Sequence, residues 1–173
     1  NNMAKSSGGT RMLKSGSREY QKRENEVVAM KESGLYSSVE FFPSGGGWVA
    51  IEKSRVKHKE EELEAASLLA QKGYKVTLTD EGGFEKVVDG KLFIDTYEQK
   101  TPLGDTATNI TTALRHARDK KADVAVIYMK HDKHTRKTVE DGIIQYENNS
   151  SYRFNKIIVI TKDGRLHIHK HNK

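Results

Sequence analysis

Lys91–Pro102 reads KLFIDTYEQKTP, and the reading of this stretch decides how the rest of the chain is arranged. On a pleated strand successive side chains point to opposite faces. Leu92, Ile94, Thr96, Glu98 and Lys100 then share one face, and Phe93, Asp95, Tyr97, Gln99 and Thr101 share the other. The face that opens apolar ends in a Glu and a Lys two residues apart. That is how a sheet carries an ion pair to the rim of a core. Just ahead, Asp89-Gly90 separates EKVV from this run. An Asp-Gly pair between two strand-like segments predicts a hairpin turn. The stretch is therefore expected as one arm of an antiparallel hairpin.

Working outward, Lys59–Lys72 has helix signals at both ends. Glu60, Glu61 and Glu62 fill the first turn, where the helix dipole favours acids, and Gly73 follows as a C-terminal stop. Tyr74, Val76 and Leu78 alternate as a short strand. Beyond the central stretch comes a helix from about Asn109 to Lys120. Asp123–Met129 (DVAVIYM) follows, a near-continuous apolar run expected of a strand covered on both faces. Thr138–Tyr146 is amphipathic, with Val139, Ile143 and Tyr146 inward. Lys156–Thr161, Asp163-Gly164 and Arg165–His171 spell a second Asp-Gly hairpin. The order predicts an α+β (mixed α/β) domain: a central, mostly antiparallel sheet of about five to six strands with helices packed on it. Residues 1–16 are rich in Ser, Gly and Lys and read as a flexible linker, as at the junction within a longer protein. Residues 17–33 suit a lone helix ended by Gly34. The compact domain is expected to span 45–173, with 1–44 as a basic lead-in.

Cysteine is absent, which excludes a disulfide framework and Cys-ligated zinc or iron–sulfur sites. No run approaches the roughly 20 apolar residues of a membrane-spanning helix, and no signal-peptide pattern is present. The net charge of +6 is unevenly spread: +4 on residues 1–31 and +5 on 148–173, leaving −3 between them. Basic ends around a mildly acidic middle suggest an anionic partner such as nucleic acid, although solvated tails would look the same.

Four constellations can carry chemistry. Glu98-Gln99-Lys100 places a carboxylate and a Lys at i, i+2 on a strand. With an Asp upstream, this is the metal-binding arrangement of the PD-(D/E)XK nucleases, in which the Lys orients the attacking water. Asp95 faces the other side of the strand, and Asp89 is assigned to the turn. A plain Glu–Lys pair on a half-exposed strand remains the competing reading. His58-Lys59 precedes a helix start, where backbone N–H groups face a phosphate or the His is simply solvated. His167 and His169 share one face of the last strand, roughly 6.8 Å apart. Lys130, His131, Lys133, His134, Arg136 and Lys137 make a cationic loop after a buried strand, the end at which open α/β sheets place ligands. Arg115 on the preceding helix extends that surface.

Three segments carry a family resemblance: VKHKEEELEAASLLAQKGYKVTL, DGKLFIDTYEQKTP and NITTALRHARDKKADVAVIYM. From His58 to about Ile127 the chain resembles the C-terminal tRNase domains of contact-dependent growth-inhibition and related polymorphic toxins. The same type of domain occurs in phage head-morphogenesis proteins. The resemblance implies the barnase–EndoU–colicin–RelE (BECR) group, metal-independent RNases often directed at tRNA. It points to His58, Lys59, Glu98, Lys100 and Thr101, and departs from the pattern at Val88-Asp89, where many relatives have Pro-Asp.

The expectation is thus an endoribonuclease toxin or effector domain that cleaves RNA, tRNA foremost, by general acid/base catalysis without a cofactor or metal. His58 or His167 (with His169 beside it) is the base or acid, Lys100 stabilises the phosphorane with Glu98 as its partner, and Thr101 donates to phosphate. The expected partners are RNA and an immunity protein. The site of action is the cytoplasm, reached as part of a larger secreted or injected protein. Two alternatives stay open: a PD-(D/E)XK-like metal-dependent nuclease, and a non-catalytic nucleic-acid-binding or assembly module of a phage or mobile element.

Overall fold

The computed structural model describes residues 11–53, 59–79 and 87–170. His58 lies outside the described residues. The chain forms two compact units, one reaching to Thr96 and the other beginning at Tyr97.

The first unit opens with α1 (Arg18–Ser33). The Ser17 hydroxyl caps it by accepting from the Tyr20 N–H at 3.3 Å, and Gly34 ends it at φ 75°. A hydroxyl cap supplies one of the acceptors that the first turn lacks, and glycine takes the left-handed exit without a Cβ clash. Strands β1 (Tyr36–Phe42) and β2 (Gly47–Glu52) pair antiparallel from Phe42↔Gly47 outward. Residues whose composition put them ahead of the compact domain are therefore part of its sheet. Val27 packs on Val39, Trp48 and Ala50 in one buried cluster. Gly47 is required by close approach, since a Cβ there would lie 2.1 Å from the Ala70 carbonyl oxygen. Helix α2 (Glu60–Gln71) carries the chain to β3 (Lys75–Leu78), which runs parallel to β2. Tyr74, Val76 and Leu78 are fully buried, as their alternation predicts.

The central stretch is where expectation and structure part. Gly90 is not in a turn: it begins β4 (Gly90–Leu92), which pairs antiparallel with β3 through Leu78↔Gly90. The Asp89 carbonyl accepts from the Thr79 N–H at 3.1 Å, and Asp89 is buried. The turn lies instead at Phe93 and Ile94, which splits the expected single strand into β4 and β5 (Asp95–Lys100). Phe93 sits at φ 56° and Ile94 is 88% exposed. A left-handed aromatic is unusual. It is held here by the Phe93 N–H donating to the Lys75 carbonyl and by the Phe93 ring lying against Tyr74 and the Arg11 guanidinium. With the turn displaced, the reason for assigning the Asp89 carboxylate to it falls away.

The second unit takes over within β5. It continues as α3 (Ala107–Asp119), β6 (Val124–Tyr128), α4 (Arg136–Asn149), β7 (Lys156–Ile160) and β8 (Leu166–Lys170). β5, β6 and β7 are parallel neighbours, and β8 returns antiparallel through the Asp163-Gly164 turn, with Gly164 at φ 87°. Every residue of β6 is buried, as its apolar run predicts. Ala125, Ile127, Ile157 and Val159 pack with Ile110 and Leu114 of α3 and Val139 and Ile143 of α4, which fixes the helix-covered face of the sheet. Burying each Val, Ile or Leu side chain among them contributes roughly 1.5–3 kcal/mol. The two helices meet closely at Gly142, where a Cβ would fall 2.6 Å from the Ala107 carbonyl oxygen. The α+β class holds, with four helices and eight strands among the described residues. The count exceeds the expected five or six because β1 lies in the lead-in and the central stretch divides. No helix among the described residues is long and apolar enough to cross a membrane.

Candidate functional site

Parallel pairing places the candidate residues of the second unit in rows. Lys100 lies beside Ile127, Ile127 beside Val159, and Val159 beside His167. One step back, Glu98, Ala125, Ile157 and His169 form the next row. Directly paired residues share a face, so Glu98, Lys100, His167 and His169 all lie on the face that α3 and α4 cover. Lys100 stands at the carboxyl end of β5, level with the carboxyl ends of β6 and β7. In open α/β sheets ligands bind at that edge.

The Glu98 side chain is 1% exposed. Its Oε2 lies 2.9 Å from Lys120 Nζ and 3.4 Å from Lys100 Nζ. Lys120 is the residue after α3, so the crossover helix delivers the second cation. The lysine side chains are 25% and 30% exposed, which leaves their ammonium ends near solvent while the carboxylate is sealed. A buried carboxylate is costly unless paired. Two ammonium groups meet that cost and concentrate positive charge at the strand end. On the opposite face, Gln99 Nε2 donates to Thr101 Oγ1 at 2.6 Å. The Thr101 hydroxyl thus accepts from Gln99 and keeps its own hydrogen for donation.

The histidines separate into two environments. His169 Nε2 lies 3.3 Å from Glu147 Oε2 on α4, a pairing that ties strand to helix. His167 lines a cavity of about 680 Å³ at the carboxyl ends of β6 and β7. Met129, Val139 and Val159 give this cavity apolar walls, and His134, Arg136, Lys162 and Arg165 supply cationic or titratable groups. Asp132 and Asp163 also line it, and Asp163 is held below the usual carboxylate range by the Thr161 hydroxyl and by Arg165. His134 Nε2 lies 3.0 Å from the Thr106 carbonyl, which can only accept, so this nitrogen carries a hydrogen.

The expected residues are thus only partly gathered. His134, Arg136 and His167 come together at the cavity. Lys100 and His167 lie in one row but three strand spacings apart, roughly 14 Å. In this structure Lys100 turns to Glu98 rather than to His167. Lys130 follows the end of β6, while His131 and Lys133 are exposed in the loop beyond it. Lys137 turns to Asp141 at 2.9 Å, and Arg115 donates to Thr112 on α3 at 3.4 Å. Lys59 belongs to the first unit, where its N–H donates to Glu62 at 3.1 Å as α2 begins. Lys120, Lys162 and Arg165 are the residues that the sequence reading missed. Lys162 and Arg165 flank the Asp163-Gly164 turn, and the rule that parallel strands build sites at their carboxyl ends was the available signal. Lys120 has no local signal, because only the α3 crossover brings it back to β5.

A divalent ion needs hard oxygen ligands. Glu98 offers one buried carboxylate with a Lys two residues on. No group of three or more His, Asp or Glu is placed to hold a metal among the described residues.

No protein-family model matches the chain, and no curated protein matches its sequence. Among solved structures it is similar to a chain of the CdiA-CT/CdiI toxin and immunity complex from Burkholderia pseudomallei, with a TM-score of 0.54 at 21% identity. The match covers 70% of this chain and 98% of that one. At such low identity the likeness is one of fold.

Proposed function

We propose that the chain is a toxin-type nuclease domain that cleaves RNA phosphodiester bonds, with Glu98 and Lys100 at its chemical centre. One observation carries this reading: a sealed carboxylate at the carboxyl end of a parallel strand, with Lys100 3.4 Å away on the same face. The fold neighbour's place in a toxin and immunity complex supports the toxin character and an immunity partner. The basic ends of the chain support an anionic substrate.

Two forms of the chemistry are open, metal-assisted and acid/base, the latter without His169, which Glu147 engages. In the metal-assisted form Glu98 would be a lone buried carboxylate ligand, since no group of three or more His, Asp or Glu is placed beside it among the described residues. Lys100 would orient the attacking water and face the anionic phosphate. Lys120 holds Glu98 in place as Lys100 turns to its task. The second form, metal-independent BECR-type cleavage with His58 as the base and Thr101 as phosphate donor, rests on the resemblance of the His58–Ile127 segment. In that form Lys100 stabilises the phosphorane.

One assay separates the two. Purified chain is incubated with tRNA and with plasmid DNA, with and without EDTA, beside Lys100→Ala. Cleavage of tRNA lost with EDTA and restored by Mg²⁺ supports the metal-assisted form. Cleavage that survives EDTA moves the assignment to the acid/base form. Full cleavage by a folded Lys100→Ala protein overturns both.

A further inference from the structure

We infer that the 680 Å³ cavity at the carboxyl ends of β6 and β7 is a nucleotide subsite, which takes one base on its apolar walls and a phosphate on its cationic rim. The inference builds on the nuclease reading, since it names where a nucleotide neighbouring the scissile bond is held.

Size comes first. Pockets for small ligands run to roughly 300–1,000 Å³, and this one falls inside that range. Composition then narrows the ligand. Met129, Val139 and Val159 belong to the buried core cluster, so they offer a fixed apolar surface rather than a mobile one. An inorganic anion has no use for such a surface, and an apolar ligand has no use for the rim. A nucleotide uses both.

The rim carries more cations than carboxylates, with Arg136, Lys162 and Arg165 against Asp132 and Asp163. Arg136 is the first residue of α4, where the helix dipole adds positive potential. Its link to Glu140 is loose, at 3.8 Å, with the Arg136 side chain 54% exposed. Arg165 is 70% exposed and lies 3.1 Å from Asp163 across the turn. Each Arg is oriented by a carboxylate without being sealed by it, so its fork of donors remains open to a phosphate. His134 is anchored through Nε2 to the Thr106 carbonyl, which leaves Nδ1 as the ring's other polar atom to meet a base edge or sugar hydroxyl.

Placement separates this subsite from the chemical centre. His167 lies three strands from Lys100 along one row, roughly 14 Å. A chain whose scissile phosphate sits at Lys100 therefore reaches the cavity with a neighbouring nucleotide.

The test is calorimetric titration of the intact chain, in EDTA, with 5′-AMP, adenosine and inorganic phosphate. Binding of 5′-AMP at least about tenfold tighter than either fragment, a difference of roughly 1.4 kcal/mol, is the expected result. Arg165→Ala and Arg136→Ala, both at exposed positions, should each weaken it several-fold with an unchanged melting temperature. Lys100→Ala should leave it within twofold. Phosphate binding as tightly as 5′-AMP would reduce the cavity to an anion site and overturn the inference. So would absence of 5′-AMP binding, or its loss in Lys100→Ala. The nuclease reading is judged separately: 5′-AMP binding without tRNA cleavage sinks that reading and leaves the subsite standing. If both hold, Arg165→Ala should raise KM for RNA with kcat retained.

Discussion

Each unit buries a charge that no apolar core would choose, Arg23 in one and Glu98 in the other, and the two are handled in opposite ways. In the unit up to Thr96 the charge is Arg23, whose side chain is 7% exposed. Its Nη1 donates to the carbonyls of Gly46 at 3.2 Å and Gly73 at 2.7 Å, its Nε meets Glu19 at 3.1 Å, and its guanidinium lies over the Phe93 ring. In the unit from Tyr97 the charge is Glu98, and the partners identified for it are the half-buried ends of Lys100 and Lys120. Backbone carbonyls cannot leave, whereas lysine ammonium groups can. Arg23 is a rivet that ties α1 to the loop before β2 and the exit of α2. Glu98 is an anchor met by side-chain cations. Burial of a charge does not mark a site by itself.

The comparison breaks most easily at Lys100. Lys100→Ala should lower RNA cleavage on the order of 10²–10³-fold, the range for removing one transition-state donor. Its melting temperature should barely move, because Glu98 keeps Lys120. Arg23→Met should do the reverse. Urea denaturation should register a loss of about 3–5 kcal/mol, typical of breaking a buried ionic cluster, while kcat per folded molecule is unchanged. A Lys100→Ala protein that unfolds, or an Arg23→Met protein that is stable but inactive, would exchange the two roles. Smaller again is Thr111→Val. The Thr111 hydroxyl donates to the Gly142 carbonyl at 2.9 Å where α3 meets α4. Its removal should cost about 1 kcal/mol, read from the same urea curves, and leave 5′-AMP binding intact.

The two Asp-Gly pairs show what the sequence could and could not tell. Asp163-Gly164 makes its turn because β7 and β8 pair directly on either side, from Ile160↔Leu166 onward. Asp89-Gly90 carries the same local signal, yet Gly90 is drawn into register with Leu78 of β3 and the chain turns later. The actual turn residues, Phe93 and Ile94, are strand formers with no turn chemistry. The ring contacts of Phe93 with Tyr74 and Arg11 select the left-handed backbone, and those partners are remote in sequence. Local patterns thus yielded α2, α3, β6 and the inward face of α4. The pair Glu98 and Lys100 was legible from its alternation alone. Lys120 was not, because its meeting with Glu98 depends on a crossover that no short window contains. Nor was the distance between Lys100 and His167, which follows from strand order.

Alkaline titration sharpens the contrast at the smallest scale. Burial raises the phenol of Tyr74 in the first unit above its ordinary value, with Arg11 opposing the shift. In the second unit burial likewise raises Tyr146 and Tyr152. A folded phenol that holds its proton longer than the unfolded one adds stability below the unfolded value of about 10. That stability is lost as pH rises through the folded pKa, since the unfolded chain ionises first. Absorbance near 295 nm should therefore show a group of tyrosines titrating late, and the urea midpoint should fall above about pH 10. Tyr74→Phe should make the fall shallower. Tyr146→Phe should also flatten it, but with about 1 kcal/mol lost at neutral pH, because the Tyr146 hydroxyl donates to the Tyr152 carbonyl at 2.8 Å. A midpoint that stays level through this range would mean that the phenols ionise while folded. The interior around Tyr74 would then admit hydroxide, and the contrast between rivet and anchor would not extend beyond the two charges themselves.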